Sequence, residues 1–342
     1  MKQSLRLVLG LAVLGAMALS STVITTTSQA AEELKVRLDW LPWALHSTMH
    51  LAEAKGWYAA EGIKVDIEDG RGSVKTVQLV GAGNYHVGYA GQATMAAGKA
   101  KSGIPVKAIA GIVRRNEMGI LVPKDSGWTT PKDLTDNNVK VSVSAGSFEA
   151  PFLEAFFRLG GTDVKKVNFL TVGAPAQKIS NYISGEAGAL ISGPAYLAPI
   201  LATKRPSNAI MMSDFGLNMP GTGFIANDDA IANNGDAIRK FLKATLAALD
   251  YIYKSDANKK EAVAAMIAAR SKAKLKAEIS LAQFESYRPL LHTPRTAGKP
   301  WGYQPPEDWK EAIDNMMKAG AIPKGQNYKD YFTNALLPTV TN

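Results

Sequence analysis

The sequence predicts an α/β protein of two lobes, with a hinge and a ligand cleft between them. Three observations carry this. Short stretches alternate apolar and polar residues, the period of a half-buried strand. Helical stretches separate them, as in parallel sheets with right-handed crossovers. The strand–helix pattern then runs through a second time and is followed by a mostly helical return.

Leu34–Leu38 is the first strand, and Ser47–Tyr58 reads as a helix with Ser47 as N-cap. Ile63–Ile67 alternates again, a helix follows Gly70-Arg71-Gly72-Ser73, and a strand lies around Val87–Ala90. The second unit contains strands at Pro105–Gly111, Gly119–Val122 and Val139–Ser144, with a short helix at Pro131–Leu134. It continues with a helix over Phe148–Leu159, a strand at Val167–Val172, a helix at Gln177–Ser184 and a strand at Ala189–Ser192. Helices at Ala237–Tyr253, Lys260–Ala269, Leu275–Tyr287 and Pro306–Ala319 form the return. The crossings between lobes are expected near Arg114–Ile120 and Asp214–Phe224. Residues 31–115 and 218–342 then make lobe 1, and residues 116–217 make lobe 2.

The 342 residues are 46% hydrophobic and 20% charged, an ordinary globular composition with length for two cores. Lys2 and Arg6 precede an uncharged apolar run, Leu7–Leu19, and Ser28-Gln29-Ala30 supplies small residues at −3 and −1. Residues 1–30 therefore read as a secretory signal peptide cleaved after Ala30. The apolar run is short against the ~20 residues of a spanning helix. With no cysteine there is neither an acylated N-terminal Cys nor a disulfide, which points to a free protein of a bacterial periplasm. Without Lys2 and Arg6 the chain carries 37 basic and 30 acidic side chains, or +7. No recognisable module gathers these charges, so no nucleic-acid partner is expected.

Catalytic constellations are missing: no Cys nucleophile, no Gly-x-Ser-x-Gly elbow, no HExxH helix and no Walker A loop. His46 and His50 lack an acidic partner at zinc-like spacing. The expectation is a binding protein with no catalytic residue, cofactor or metal. Gly70–Ser73 and Gly146-Ser147 each lead from a strand into a helix, and are either anion-holding amide turns or plain turns. Tyr89 and Gln92, at the carboxyl end of a strand, are placed for a cleft, where open α/β sheets bind ligands.

The segment Leu38-Asp39-Trp40-x-Pro42-x-x-x-His46, followed by Ala54-Lys55-Gly56-Trp57-Tyr58-x-x-Glu61-Gly62, resembles the opening of the thiamine-pyrimidine-precursor binding family. That family includes periplasmic binding proteins for formylaminopyrimidine and riboflavin and a fungal pyrimidine synthase. It stands beside the nitrate, sulfonate and taurine binding proteins of ABC importers. Weaker likenesses run through Gly83–Gly88, Lys132-Asp133-Leu134, Ile238–Ala244, Asp308-Trp309-Lys310 and Tyr331–Asn334, so the resemblance covers roughly residues 34–338.

The resemblance implies a type II periplasmic binding protein that captures a small, flat, pyrimidine-like ligand by lobe closure. It would be a monomer that delivers the ligand transiently to an inner-membrane ABC permease. It puts Trp40 against the ligand ring, His46 at the cleft edge as a polar contact, and Gly146, Ser147 and Phe148 on the second lobe. Trp43 departs from the family pattern and either widens the aromatic surface or packs against the lobe. Where sulfonate-type relatives carry a tryptophan and an acid, Ser192-Gly193-Pro194-Ala195 is small, which leaves room for a bulkier ligand near Ser192.

The fungal synthase's pyridoxal-phosphate lysine and its consumed histidine align with Ala90 and Thr94. Its cysteine-rich segment aligns near Gly221–Phe224, where there is no cysteine. An enzyme of that kind is therefore disfavoured, and a secreted pyrimidine-acting enzyme is kept as the rival of another class. A small-anion binder and a sensor domain for a partner kinase are the remaining alternatives.

Overall fold

A computed structural model describes residues 31–144 and 146–338; the expected signal peptide lies outside them. Lobe 1 opens with β1 (Glu32–Arg37), α1 (Ser47–Ala54), α2 (Trp57–Ala60), β2 (Ile63–Glu68), α3 (Ser73–Gly81), β3 (Val87–Gly91), α4 (Gln92–Ser102) and β4 (Val106–Gly111). Lobe 2 contains β5 (Gly119–Pro123), α5 (Pro131–Asp136), β6 (Lys140–Ser144), α6 (Leu153–Leu159), β7 (Asn168–Val172), α7 (Pro175–Ile183), β8 (Ala189–Ser192), α8 (Pro194–Leu201) and β9 (Ser207–Met211). The return is β10 (Thr222–Asn227), α9 (Asp228–Asn233), α10 (Gly235–Lys254), α11 (Asp256–Ala269), α12 (Ala277–Tyr287) and α13 (Pro306–Lys318).

Two five-stranded sheets result, ordered β2-β1-β3-β10-β4 and β7-β6-β8-β5-β9. Each is parallel apart from one strand, β10 or β5, that runs antiparallel to both its neighbours. Those two strands are where the chain enters and leaves lobe 2. The crossings are residues 112–118 and 212–221; each starts two residues earlier than expected and ends sooner, because Ile120 already pairs in β5 and Phe224 in β10. They run side by side, with the Met212 N–H donating to the Met118 carbonyl at 3.0 Å.

Several local expectations change. Ser47 is not an N-cap: a 3₁₀ turn over Ala44–His46 leads into α1, and the Ser47 hydroxyl donates back to the Ala44 carbonyl at 2.5 Å. The expected Ser47–Tyr58 helix breaks at Gly56, whose φ of +68° is a left-handed conformation that stops the helix. The helices α4, α8 and α9, the edge strand β9 and the strand β10 were not anticipated. At α5 the Thr130–Asp133 capping box and Pro131 at the first helical position set the start.

Core side chains fill both sheet faces. One apolar cluster joins β1, α1 and α10–α12. A second passes from α3 and α4 into lobe 2 and takes in Trp309, Ile313 and Met316 of α13. Among the described residues no helix is long and apolar enough to cross a membrane.

Candidate functional site

The chain leaving β1 is pinned peptide by peptide. Leu38 N–H donates to the Glu68 carbonyl at 2.8 Å, and the Thr76 hydroxyl donates to the Leu38 carbonyl at 2.8 Å. The Gly70 and Gly72 amides donate to the carbonyls of Trp40 and Asp39 at 3.1 and 2.6 Å. This approach requires glycine: a Cβ on Gly70 would lie 2.0 Å from the Leu38 carbonyl oxygen. The Gly70–Ser73 turn therefore holds the aromatic lip, and its two glycine amides are not free for an anion. The Ser147 amide is likewise taken, by the Ser144 carbonyl at 3.1 Å.

Across the interlobe face, Trp40 meets lobe 2. The Lys178 ammonium lies 5.2 Å from the centre of its ring, a cation–π distance. Lys178, on α7, is fully buried and donates to the Ile191 carbonyl at 2.8 Å. Burial holds its pKa below the usual lysine range, against the pull of Glu149.

Trp40, Trp43, Ser147, Phe148 and Ser192 line one small cavity. So do Asp39, Glu117, Glu149, Lys178, Tyr196 and Tyr287, none of which sequence reasoning singled out for the site. Its volume is about 40 Å³ with the lobes packed together. That is far below the ~300 Å³ or more of an ordinary ligand pocket, so a ring-sized ligand enters only when the lobes part.

The cavity is acid-rich. Asp39, Glu117 and Glu149 face it against one amine, Lys178. Both Glu149 oxygens, Glu117 Oε2 and the Ser147 hydroxyl have no hydrogen-bond partner among the described residues. Burial pushes the Glu117 carboxyl up to about 8; Asp39 and Glu149 add to the shift, and a hydrogen bond with Tyr287 opposes it. Buried polar atoms of this kind are normally satisfied, so a cluster without partners points to a missing one.

Other expected site residues sit elsewhere. His46 does not border the cavity: its ring is wholly buried and its Nε2 pairs with Asp39 Oδ1 at 2.9 Å. It orients a carboxylate that does face the cavity. Tyr89 is in the core of lobe 1, hydroxyl against Thr222 at 2.9 Å and ring edge-on to Phe224. Gln92 is buried behind it, donating to the Ala110 carbonyl at 3.0 Å. A strand end indicates depth in the sheet but not facing, and both side chains face inward.

Gly146 is outside the cavity and forms a lobe–lobe contact against Gly72. Trp43 both lines the cavity and packs, 4.6 Å from Tyr287 and edge-on to Tyr196 at 6.2 Å. The room expected at Ser192-Gly193 is taken: a Cβ on Gly193 would lie 2.9 Å from Glu117 Oε2.

The positions aligned with the synthase's lysine and histidine do not fit its cofactor chemistry. Ala90 offers no amine, and the Thr94 hydroxyl is committed to the Phe148 carbonyl at 2.7 Å. Among the described residues no cluster of His, Cys, Asp and Glu could hold a metal ion.

Residues 43–258 match the family model described as "NMT1/THI5 like". The formylaminopyrimidine-binding protein of Halalkalibacterium halodurans is 24% identical, the match covering 85% of this chain and 87% of that one. A 4-amino-5-hydroxymethyl-2-methylpyrimidine phosphate synthase of Saccharomyces cerevisiae is 26% identical, over 65% and 68% of the two chains. In fold, the periplasmic aliphatic sulphonate binding protein of Escherichia coli superposes with a TM-score of 0.61 at 17% identity, over 87% of this chain and 96% of the other. The architecture is thus that of the periplasmic binding proteins, and the chain belongs to the NMT1/THI5-like family.

Proposed function

We propose that this protein is the periplasmic solute-binding component of an ABC importer, and that its cleft takes a flat nitrogen heterocycle bearing amidine-type N–H donors, such as a 4-aminopyrimidine. The observation that carries this reading is the set of unpartnered carboxyl oxygens on Glu117 and Glu149 beside the Trp40 ring. An exocyclic amine next to a protonated ring nitrogen presents two parallel donors, which a carboxylate accepts as charge-assisted hydrogen bonds. Each is worth about 1.5–3 kcal/mol, and stacking on Trp40 adds about 0.5–1.5 kcal/mol beyond area burial. The formylaminopyrimidine-binding relative supports the same ligand class.

A small anion is the weaker reading. It would meet three acidic groups and one amine, and the Gly70, Gly72 and Ser147 amides are already bonded. Binding follows from the two-lobe geometry. The ligand stacks on Trp40 in the open form, and lobe 2 then brings Glu149, Lys178 and Tyr196 over it. The permease reads the closed form. Ala90 and Thr94 and the absence of cysteine favour capture over chemistry.

Calorimetric titration with formylaminopyrimidine, taurine and nitrate tests the ligand class. Saturable heat with the pyrimidine alone is expected. Tight binding of taurine or nitrate with no response to the pyrimidine would overturn it.

A further inference from the structure

A second cavity, of about 700 Å³, opens at the two crossings and shares no lining residue with the ligand cleft. Arg114 and Arg115 of the first crossing line it, with an apolar wall that includes Met219, Leu290 and Trp309. The backbone here is fixed, since the amides of Arg114 and Arg115 both donate to the Leu290 carbonyl, at 2.7 and 3.2 Å.

The Arg114 side chain is the unusual element. Its Nε is buried without a hydrogen-bond partner among the described residues. The nearby acids are already engaged: Asp308 and Glu311 both accept from Arg295, at 2.5 and 3.1 Å. A guanidinium N–H held out of water without an acceptor is costly, and an oxyanion on the planar fork offsets that cost.

We propose that this cavity is a second binding site, taking a small organic oxyanion (a carboxylate or phosphoryl group on an apolar body) seated on Arg114. The apolar body lies against Met219, Leu290 and Trp309. The walls include both crossings, and the first crossing also carries Glu117 into the ligand cleft. Occupancy therefore bears on the hinge, and any coupling to the cleft is reciprocal.

Benzoate and phenyl phosphate serve as probes, titrated calorimetrically into wild type, Arg114→Met and Trp40→Ala. At least one should bind wild type and Trp40→Ala equally, with affinity reduced at least about tenfold in Arg114→Met. Which probe binds more tightly assigns the group as carboxylate or phosphoryl. No binding of either probe to wild type overturns the proposal, as does binding that survives Arg114→Met. If Arg114→Met does not fold, the Arg114 Nε–H resonance of the wild type decides: it must shift on titration, and a stationary signal overturns the site.

Discussion

Gly72 and Gly146 touch backbone to backbone across the two lobes, so closely that a Cβ on Gly72 would lie 1.9 Å from the Gly146 carbonyl oxygen. Gly72 also holds φ at +131°, a conformation other residues reach only with strain. Gly72→Ala should therefore cost about 1–3 kcal/mol and hold the lobes apart. Small-angle scattering should give a larger radius of gyration than wild type, with weaker ligand binding. Gly56→Ala is the control: its φ is +68° but a Cβ there meets nothing, so stability falls while the scattering profile stays that of wild type.

Glu117 makes the empty protein sensitive to pH. Its folded pKa of about 8 lies above the ordinary 4.5, so the folded state binds this proton more tightly than the unfolded chain. Stability should then fall as pH rises from about 4.5 through 8, by at most about 5 kcal/mol and by less if opening lets water reach the carboxyl. Glu117→Gln should flatten that part of a plot of melting temperature against pH. A slope unchanged from wild type would remove Glu117 as its source.

Trp40 and Trp43 should separate binding from stability. Trp40 is half-buried with its ring toward Lys178, whereas Trp43 is almost wholly enclosed by Tyr287, Tyr196, Tyr89 and His46. Trp40→Ala should weaken ligand binding at least about tenfold with little change in denaturation midpoint. Trp43→Ala should cost about 3–5 kcal/mol of stability by opening a cavity in lobe 1. Equal loss of stability in the two variants would contradict this division.

The strands that alternate or carry branched apolar residues were legible, Ala189–Ser192 to the residue. Three of the elements missed, beside α9 and β10, have weak local signals. The β9 strand is an edge with mixed exposure, α4 is built largely from small residues, and α8 contains Pro199. At the cleft, Trp40 came from a motif in which Asp39 stood beside it without an assigned role. Glu117, Glu149, Lys178 and Tyr287 converge from four separate segments, and a carboxylate in a sequence looks the same whether solvated or buried. His46 was found for the wrong reason: its ring acts on Asp39 rather than on the cavity.

The place of β10 between β3 and β4 has a kinetic consequence. All five strands of the second sheet lie in one continuous stretch, whereas β4 stays cut off from the rest of its sheet until β10 has been delivered. Closing that gap means forming contacts of high sequence separation, which are slow to form. Lobe 2 is therefore free to assemble while lobe 1 waits, and a chain that emerges from its N-terminus completes its first sheet late.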